Sequence, residues 1–192
     1  MLHLAESTRS DWFDSIEDYL DLILIDHTHL EKRAASTALS MIFRYTGRDG
    51  VPRHLAEVVR EEMEHFTRML DILEARDIEL KRLDPAPYAS ALVEHIRSQE
   101  PERFLDKLLV AGLIEARSCE RFSILADNVD DPELAEFYRE LFKAEADHYT
   151  LYTGLARDHF PKSVVNERLD ELAVYEVEAL KKGRDLPRLH SY

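Results

Sequence analysis

The apolar residues of this chain recur every three or four positions from about residue 12 to residue 181, which is the period of an α-helix. Alternation of apolar and polar residues, the pattern of a half-buried strand, is not found over any useful length. Proline is tolerated in the first turn of a helix and breaks a helix interior, so the seven prolines mark the expected boundaries. The pattern therefore predicts an all-α protein.

The prolines and the apolar period together predict four long helices, a short connecting helix and a C-terminal helix. Asp131 followed by Pro132 is a strong start signal, since aspartate is a favoured N-cap and proline a favoured first helical residue. In chain order, the predicted helices run over Trp12–Tyr45, Pro52–Arg76, a short stretch after the linker Leu83–Tyr88 that ends near Ser98, Pro101–Asp127, Pro132 to just before Phe160, and Ser163–Lys181. We expect residues 1–192 to form one domain built on a four-helix bundle.

Two of the long helices carry a single glutamate in the middle of an apolar stripe. Glu31 lies on a stripe of the first helix that is otherwise apolar except for His27, and Glu115 is the only charged residue on the corresponding stripe of the third. The two stripes are Leu20, Leu24, His27, Glu31, Ala35, Ala38 and Ile42, and Phe104, Leu108, Ala111, Glu115, Cys119, Phe122 and Ala126. A buried carboxylate is costly unless it is paired or binds a metal ion.

The other two long helices each carry a Glu-x-x-His pair, Glu62 with His65 and Glu145 with His148. Residues three apart on a helix project from the same face, so each pair can bind one ion together. One glutamate from each of two helices and a Glu-x-x-His pair from each of two others is the ligand set of ferritin-like di-iron proteins. Carboxylates with a few imidazoles suit iron or manganese better than copper, and we expect iron because this architecture is used for dioxygen chemistry.

Composition excludes several other classes of protein. A lone cysteine, Cys119, excludes a disulfide framework or a site built on several cysteines and fits a reducing cytoplasm. The longest apolar runs, such as Leu22–Ile25, are too short to cross a bilayer, and the first residues do not resemble a signal peptide. A formal charge of −14 opposes binding to nucleic acid unless positive charge is concentrated locally.

The sequence resembles the tRNA hydroxylase family that acts on 2-methylthio-N6-isopentenyl-adenosine, the MiaE-like family, over nearly its whole length. The segments that carry the resemblance are Asp26–Ala35 (DHTHLEKRAA), Glu61–Phe66 (EEMEHF), Ile114–Phe122 (IEARSCERF) and Glu145–Tyr149 (EADHY). The resemblance implies a ferritin-like di-iron monooxygenase that uses dioxygen to hydroxylate the isopentenyl group of the modified base in tRNA. It also implies that electrons come from a separate donor or reductase.

The resemblance assigns a role to each of the six candidate ligands. Glu62 and Glu145 are expected to bridge two iron ions. Glu31 and His65 would complete the coordination of one ion, and Glu115 and His148 that of the other. The tRNA is expected to bind to a local basic surface, because the chain as a whole is acidic. The densest cluster of basic residues near the C-terminus is the first candidate, and it consists of Lys181, Lys182, Arg184 and Arg188. Lys81 and Arg82 are further candidates.

Several alternatives stay open on the sequence alone. A bundle with this ligand set could bind or store iron without catalysis, or could be purely structural. His27 could support the site or be an ordinary buried histidine, and Cys119 is most simply a small core residue. One of Tyr138, Tyr149 and Tyr152 could be a redox tyrosine, although packing is the simpler role. The basic cluster could be an ordinary solvated end of the chain.

Overall fold

The structure is a computed structural model that describes residues 2–184 and 186–192, and within that range its regular secondary structure is helical. The α-helices are α1 (Trp12–Ile16), α2 (Leu20–Arg44), α3 (Val51–Ala75), α4 (Pro87–Val93), α5 (Glu102–Asn128), α6 (Pro132–His159) and α7 (Lys162–Lys181). The predicted all-α class is confirmed. Four of the predicted helices, α3, α5, α6 and α7, both begin and end within a few residues of the predicted positions.

The prediction that the first helix is continuous is wrong. A 3₁₀ turn at Glu17–Tyr19 separates α1 from α2. All three residues of this turn are exposed, so no buried side chain holds them in regular α geometry. Exposed polar positions satisfy the helical period without being fixed by packing, which is why the sequence pattern alone did not reveal the break.

The connecting helix α4 is also shorter than expected, because it ends at Val93 rather than near Ser98. Beyond Val93 the amides of His95 and Ile96 form turn-type bonds to the carbonyls of Leu92 and Val93 at 3.1 Å, and other backbone groups bond to distant side chains. The carbonyl of His95 accepts a hydrogen bond from Nη2 of Arg168 at 2.7 Å, and the amide of Arg97 donates to Asp106 at 2.8 Å. The turn and these tertiary bonds hold the segment after Val93 in a non-helical path.

The described residues form two compact units. Unit 1 contains the N-terminal segment up to Glu17, the chain from Ala86 to Leu186, and His190–Tyr192. Unit 2 contains Asp18–Pro85 and Pro187–Leu189. In unit 2, α2 packs against α3, and in unit 1, α5 packs against α6 while α7 packs against α4 and α5.

The turn into α3 in unit 2 depends on a glycine. Gly50 has a φ of +70°, a backbone conformation that glycine adopts without the steric cost borne by other residues. Val51 and Pro52 follow and begin the helix, with proline in the first turn where its missing N–H is not needed. The hairpin formed in this way allows α2 and α3 to share an apolar interior.

A second glycine sets the contact between α5 and α6 in unit 1. A Cβ placed on Gly112 would lie 3.5 Å from Cβ of Tyr152 and 3.6 Å from Cγ2 of Thr153. A methyl group at this position would therefore lie in ordinary van der Waals contact with α6. At the start of α6, Asp131 accepts hydrogen bonds from the amides of Glu133 and Leu134 at 2.9 and 3.1 Å, so the predicted N-cap is confirmed.

A buried polar network connects three helices of unit 1. The guanidinium of Arg117 on α5 donates two hydrogen bonds to the carboxylate of Glu176 on α7, at 2.8 and 2.7 Å. The hydroxyl of Tyr88 on α4 donates to the same carboxylate at 2.9 Å. Burial and the neighbouring Glu176 carboxylate raise the pKa of Tyr88 well above its ordinary value, so its hydroxyl stays protonated and available as a donor.

None of the helices in the described part of the chain combines the length and the apolar character that crossing a bilayer requires.

Candidate metal centre

Unit 2 gathers one group of possible metal ligands between α2 and α3. The lone glutamate of α2, Glu31, and the pair Glu62 and His65 of α3 are all buried. Each of the three offers a ligand atom, and these atoms lie within 4.8 Å of one another. Nδ1 of His65 is 3.5 Å from Oε2 of Glu31. The spacing of the ligands along their two helices therefore produces a compact group of two carboxylates and one imidazole.

His27 is a direct neighbour of this group. Nε2 of its imidazole forms a hydrogen bond with Oε1 of Glu31, one turn further along α2, and the His27 side chain is fully buried. Burial alone would raise the pKa of Glu31, but the attraction of His27 and its hydrogen bond hold that pKa below its ordinary value. Glu31 is therefore held as a carboxylate, which is the form that binds a metal ion.

Unit 1 gathers a second group of the same composition between α5 and α6. Glu115 of α5 and the pair Glu145 and His148 of α6 are buried, and their ligand atoms also lie within 4.8 Å of one another. Nδ1 of His148 is 3.6 Å from Oε2 of Glu145. Because His148 follows Glu145 by three residues on one helix, both side chains point to the same face.

The chemistry of both groups fits a metal ion. Two buried carboxylates so close together repel each other, and a cation removes this cost. Oε2 of Glu145 is buried and accepts no hydrogen bond from any residue that the structure describes. Buried polar atoms in native proteins are almost always satisfied, so such an oxygen is expected to have a partner of another kind. Each of the two groups could hold a metal ion.

The six residues singled out in the sequence thus separate into two sets of three. Each set is brought together within its own unit. The stripe that carries Glu115 is buried throughout, and the stripe that carries Glu31 is buried except at its half-buried ends, Leu20 and Ile42. The role of His27 was left open on the sequence alone. Its spacing of four residues from Glu31 is the feature that indicates contact between the two side chains, because residues four apart are neighbours on a helix.

Cys119 and the three tyrosines considered beside the site are all buried in unit 1. Burial raises the pKa of Cys119 to about 12, with smaller contributions from the negative charges of Glu145 and Glu120. The thiol of Cys119 is therefore protonated at neutral pH. Tyr138 packs against the ring of Phe122, with the ring centroids 5.4 Å apart. For Tyr138 this contact is the packing role considered from the sequence.

The structure places the four residues of the basic cluster in different surroundings. Nζ of Lys181 is 3.7 Å from a carboxylate oxygen of Glu6, and Nζ of Lys182 is 3.4 Å from one of Glu94. Arg184 is exposed. By contrast, the Arg188 side chain is only 14% exposed, and its Nε lies 3.6 Å from a carboxylate oxygen of Asp26 within unit 2.

Comparison with known families identifies the chain. The sequence model described as tRNA-(MS[2]IO[6]A)-hydroxylase (MiaE) matches residues 1–191. The chain belongs to the MiaE family. A member from Pseudomonas putida named tRNA 2-(methylsulfanyl)-N(6)-isopentenyladenosine(37) hydroxylase is 34% identical over 96% of this chain and 89% of its own length. A protein of the same name from Salmonella typhimurium is 34% identical over 69% of this chain and 48% of its own length.

A solved structure is similar over nearly the whole chain. It is described as protein 43 with aldehyde deformylating oxygenase activity, from Synechococcus. The TM-score is 0.94 at 41% sequence identity, and the match covers 98% of this chain and 95% of the other. This likeness confirms the ferritin-like fold expected from the sequence. Membership of the MiaE family confirms that the chain is an enzyme of the hydroxylase class.

Proposed function

We propose that this protein is a dioxygen-dependent monooxygenase that hydroxylates the isopentenyl group of 2-methylthio-N6-isopentenyl-adenosine in tRNA. The observation that carries this proposal is the match of the MiaE family to residues 1–191 of a chain with a buried carboxylate–histidine group in each unit. The reaction inserts one oxygen atom of dioxygen into a C–H bond. The second oxygen atom leaves as water, which requires two electrons and two protons.

We further propose that the two groups bind two iron ions as one di-iron centre. Glu31, Glu62 and His65 would hold iron in unit 2, and Glu115, Glu145 and His148 would hold iron in unit 1, with Glu62 and Glu145 in the bridging role that the family resemblance implies. When bound, the iron pair supplies the reductive activation of dioxygen. This assignment is supported by the equal composition of the two groups and by the ligand pattern of ferritin-like proteins.

The residues of the chain contribute burial, charge and position. Four buried carboxylates provide negative charge that balances two iron cations in surroundings from which bulk water is excluded. His27 fixes the orientation of Glu31 through its hydrogen bond. Small side chains at Ala35, Ala38 and Ala111 leave space on the same helix faces as Glu31 and Glu115.

The remaining parts of the proposal concern partners, location and cooperativity. A separate reductase or electron donor would supply the two electrons, and the enzyme would act in the cytoplasm, where tRNA is found.

Residues 1–192 would act as one catalytic domain. The domain proposal predicts a single calorimetric transition for the iron-loaded protein, with equal calorimetric and van't Hoff enthalpies, and two resolved transitions would contradict it.

The decisive experiment supplies iron-loaded protein with reductant, ¹⁸O₂ and tRNA that bears the unhydroxylated base. After digestion, the hydroxylated nucleoside should appear with one ¹⁸O atom, and its amount should depend on iron and reductant. The Glu115→Ala variant is the matched control and should give much less product. Oxygen consumption without this nucleoside would contradict the substrate assignment, and iron uptake without oxygen consumption would instead favour an iron-binding or storage protein.

A second candidate function is favoured by one observation, the 41% identity to a protein with aldehyde deformylating oxygenase activity. Oxygen-dependent deformylation breaks the bond between the carbonyl carbon and the rest of an aldehyde, and the shortened chain takes a hydrogen atom. The carbonyl carbon leaves as formate, and dioxygen is reduced with four electrons and four protons, which gives one oxygen atom of formate and one water. The same iron-loaded preparation should therefore be offered aldehydes of several chain lengths, with formate as the readout. Formate release at a rate comparable to that of tRNA hydroxylation would favour this second activity.

A further inference from the structure

Three exposed cations from two distant parts of the chain meet at one aromatic ring in unit 1. The charged groups of Arg184, Lys181 and Arg9 lie 5.1, 5.4 and 5.5 Å from the centre of the Tyr192 ring. All three distances are within the range of cation–π attraction. The residues of this group, called the Tyr192 cluster below, are Arg9, Lys181, Arg184 and Tyr192.

We propose that the Tyr192 cluster binds the phosphate backbone of the tRNA substrate. This inference rests on the proposed function, because it assigns a contact surface to that substrate. Proteins that bind RNA combine arginine and lysine side chains, which contact phosphates, with aromatic rings on which bases stack. The cluster supplies both kinds of group at one place on a chain whose formal charge is −14.

The acidic neighbours of the cluster do not prevent this role. Asp11 forms a hydrogen-bonded ion pair with Arg9 at 2.9 Å, and Glu6 lies 3.7 Å from Lys181. Both pairs are solvent-exposed, and exposed ion pairs contribute little stability. A phosphate can therefore replace either carboxylate as the partner of these cations without a large cost.

A buried positive charge lies beneath the cluster. A cavity of about 10 Å³, enough for about one water molecule, is lined in part by Arg9, Arg121 and Tyr192. Arg121 is 1% exposed, and its Nε and Nη1 atoms have no hydrogen-bond partner among the described residues. Burial lowers the pKa of Arg121 to about 9, so the group stays charged at neutral pH and adds positive potential below the ring.

This surface differs from the basic cluster expected from the sequence. It includes Arg9, which is far from the C-terminal residues in sequence, and it excludes Arg188, which lies beside Asp26 and is mostly buried. It also excludes Lys182, which lies beside Glu94. Lys182 is next to Lys181 in the chain but lies outside the Tyr192 cluster. Replacing one or the other removes the same charge from a different surface, so the comparison tests the position of the charge.

The test is the salt dependence of tRNA binding in a triple variant, Arg9→Gln, Lys181→Gln and Arg184→Gln. Each lost phosphate contact flattens the slope of log affinity against log salt concentration by about 0.7 to 0.9, so the slope should flatten by about 2 to 3 in total. The matched control is Arg139→Gln, Lys162→Gln and Lys182→Gln, which removes the same charge from exposed positions of the same unit. The control should keep the slope of the unmodified protein.

Kinetics separate binding from damage to the active site. In the triple variant, KM for tRNA should rise by the same factor as Kd, while kcat at saturating tRNA and the iron content stay unchanged. An unchanged slope in the triple variant, an equal effect in the control, or a fall in kcat with unchanged KM would overturn the inference. If the unmodified protein does not hydroxylate tRNA at all, the proposed function fails; if it does and the triple variant keeps its slope, only the Tyr192 cluster fails.

Discussion

His27 and Glu31 lie one turn apart on α2 and share a buried hydrogen bond between an imidazole nitrogen and a carboxylate oxygen. A partner of this kind orients a ligand, and its loss typically weakens metal affinity about 10- to 100-fold. We therefore expect His27→Ala to bind iron about 10- to 100-fold more weakly, as measured by titration of the metal-free protein with ferrous iron.

The matched control for His27 is His29, which is also buried and lies on the same helix. Nε2 of His29 bonds to the backbone carbonyl of Lys81 at 2.7 Å instead of to a candidate ligand. His29→Ala should lower the free energy of unfolding but leave iron affinity unchanged. Equal losses of iron affinity in the two variants would show that His27 acts only through general stability.

The ligand assignment predicts the iron content of a set of paired variants. Glu62→Ala and His148→Ala should each reduce iron below two ions per chain and abolish most hydroxylation, because each removes a proposed ligand. Glu64→Ala and Asp147→Ala change exposed residues within the same sequence motifs and should keep both. Metal analysis of the four purified proteins checks this prediction, and full iron content in the first two would contradict it.

Asp106 predicts a pH-dependent contribution to the stability of unit 1. Burial alone would raise the pKa of this fully buried carboxyl, but hydrogen bonds from Arg97 and Arg168 hold the pKa below its ordinary value of 3.8. A lowered pKa in the folded state means that the contribution is present above about pH 4 and is lost as the pH falls through the folded-state pKa.

The variant Asp106→Asn tests this contribution. At pH 7 it should lower the free energy of unfolding by about 1.5 to 3 kcal/mol, because Arg97 and Arg168 lose hydrogen bonds to a charged carboxylate, while Arg168 keeps its ion pair with Glu171 at 2.6 Å. The difference from the unmodified protein should shrink as the pH is lowered below about 4. Urea denaturation across this pH range measures it, and a difference that grows toward acid pH would contradict the assignment.

Asp131 predicts a smaller, local effect on α6. Its side chain accepts hydrogen bonds from two backbone amides in the first turn of the helix. Asp131→Ala should cost about 1 kcal/mol of stability, the usual value for an N-cap. The neighbouring Asp130 is exposed, and Asp130→Ala should change the free energy of unfolding by less than about 0.5 kcal/mol.

The sequence was most informative where a residue departs from a regular pattern. Glu31 and Glu115 could be recognised because a carboxylate on an apolar stripe is energetically costly, and the structure buries both. Proline and aspartate mark the start of α6 by local chemistry alone. These features depend on neighbouring residues, so the sequence contains the information needed to predict them.

Features that depend on contacts between distant residues could not be predicted in the same way. The approach of Arg9 to Tyr192 and the position of Arg188 beside Asp26 are decided by tertiary packing. The break between α1 and α2 lies at exposed residues that fit the helical period equally well. In each case the local pattern permits more than one outcome.

Gly112 is a position at which the spacing of the proposed ligands could be changed without replacing any of them. The residue lies less than one turn before Glu115, where α6 approaches the backbone of α5. A methyl group fits at ordinary contact distance, so Gly112→Ala should be accommodated, whereas a leucine would force the two helices apart. We therefore expect a large side chain at position 112 to move Glu115 away from Glu145 and His148. Substitution at this one position would thus change the distance between the proposed ligands while leaving their chemical identity intact.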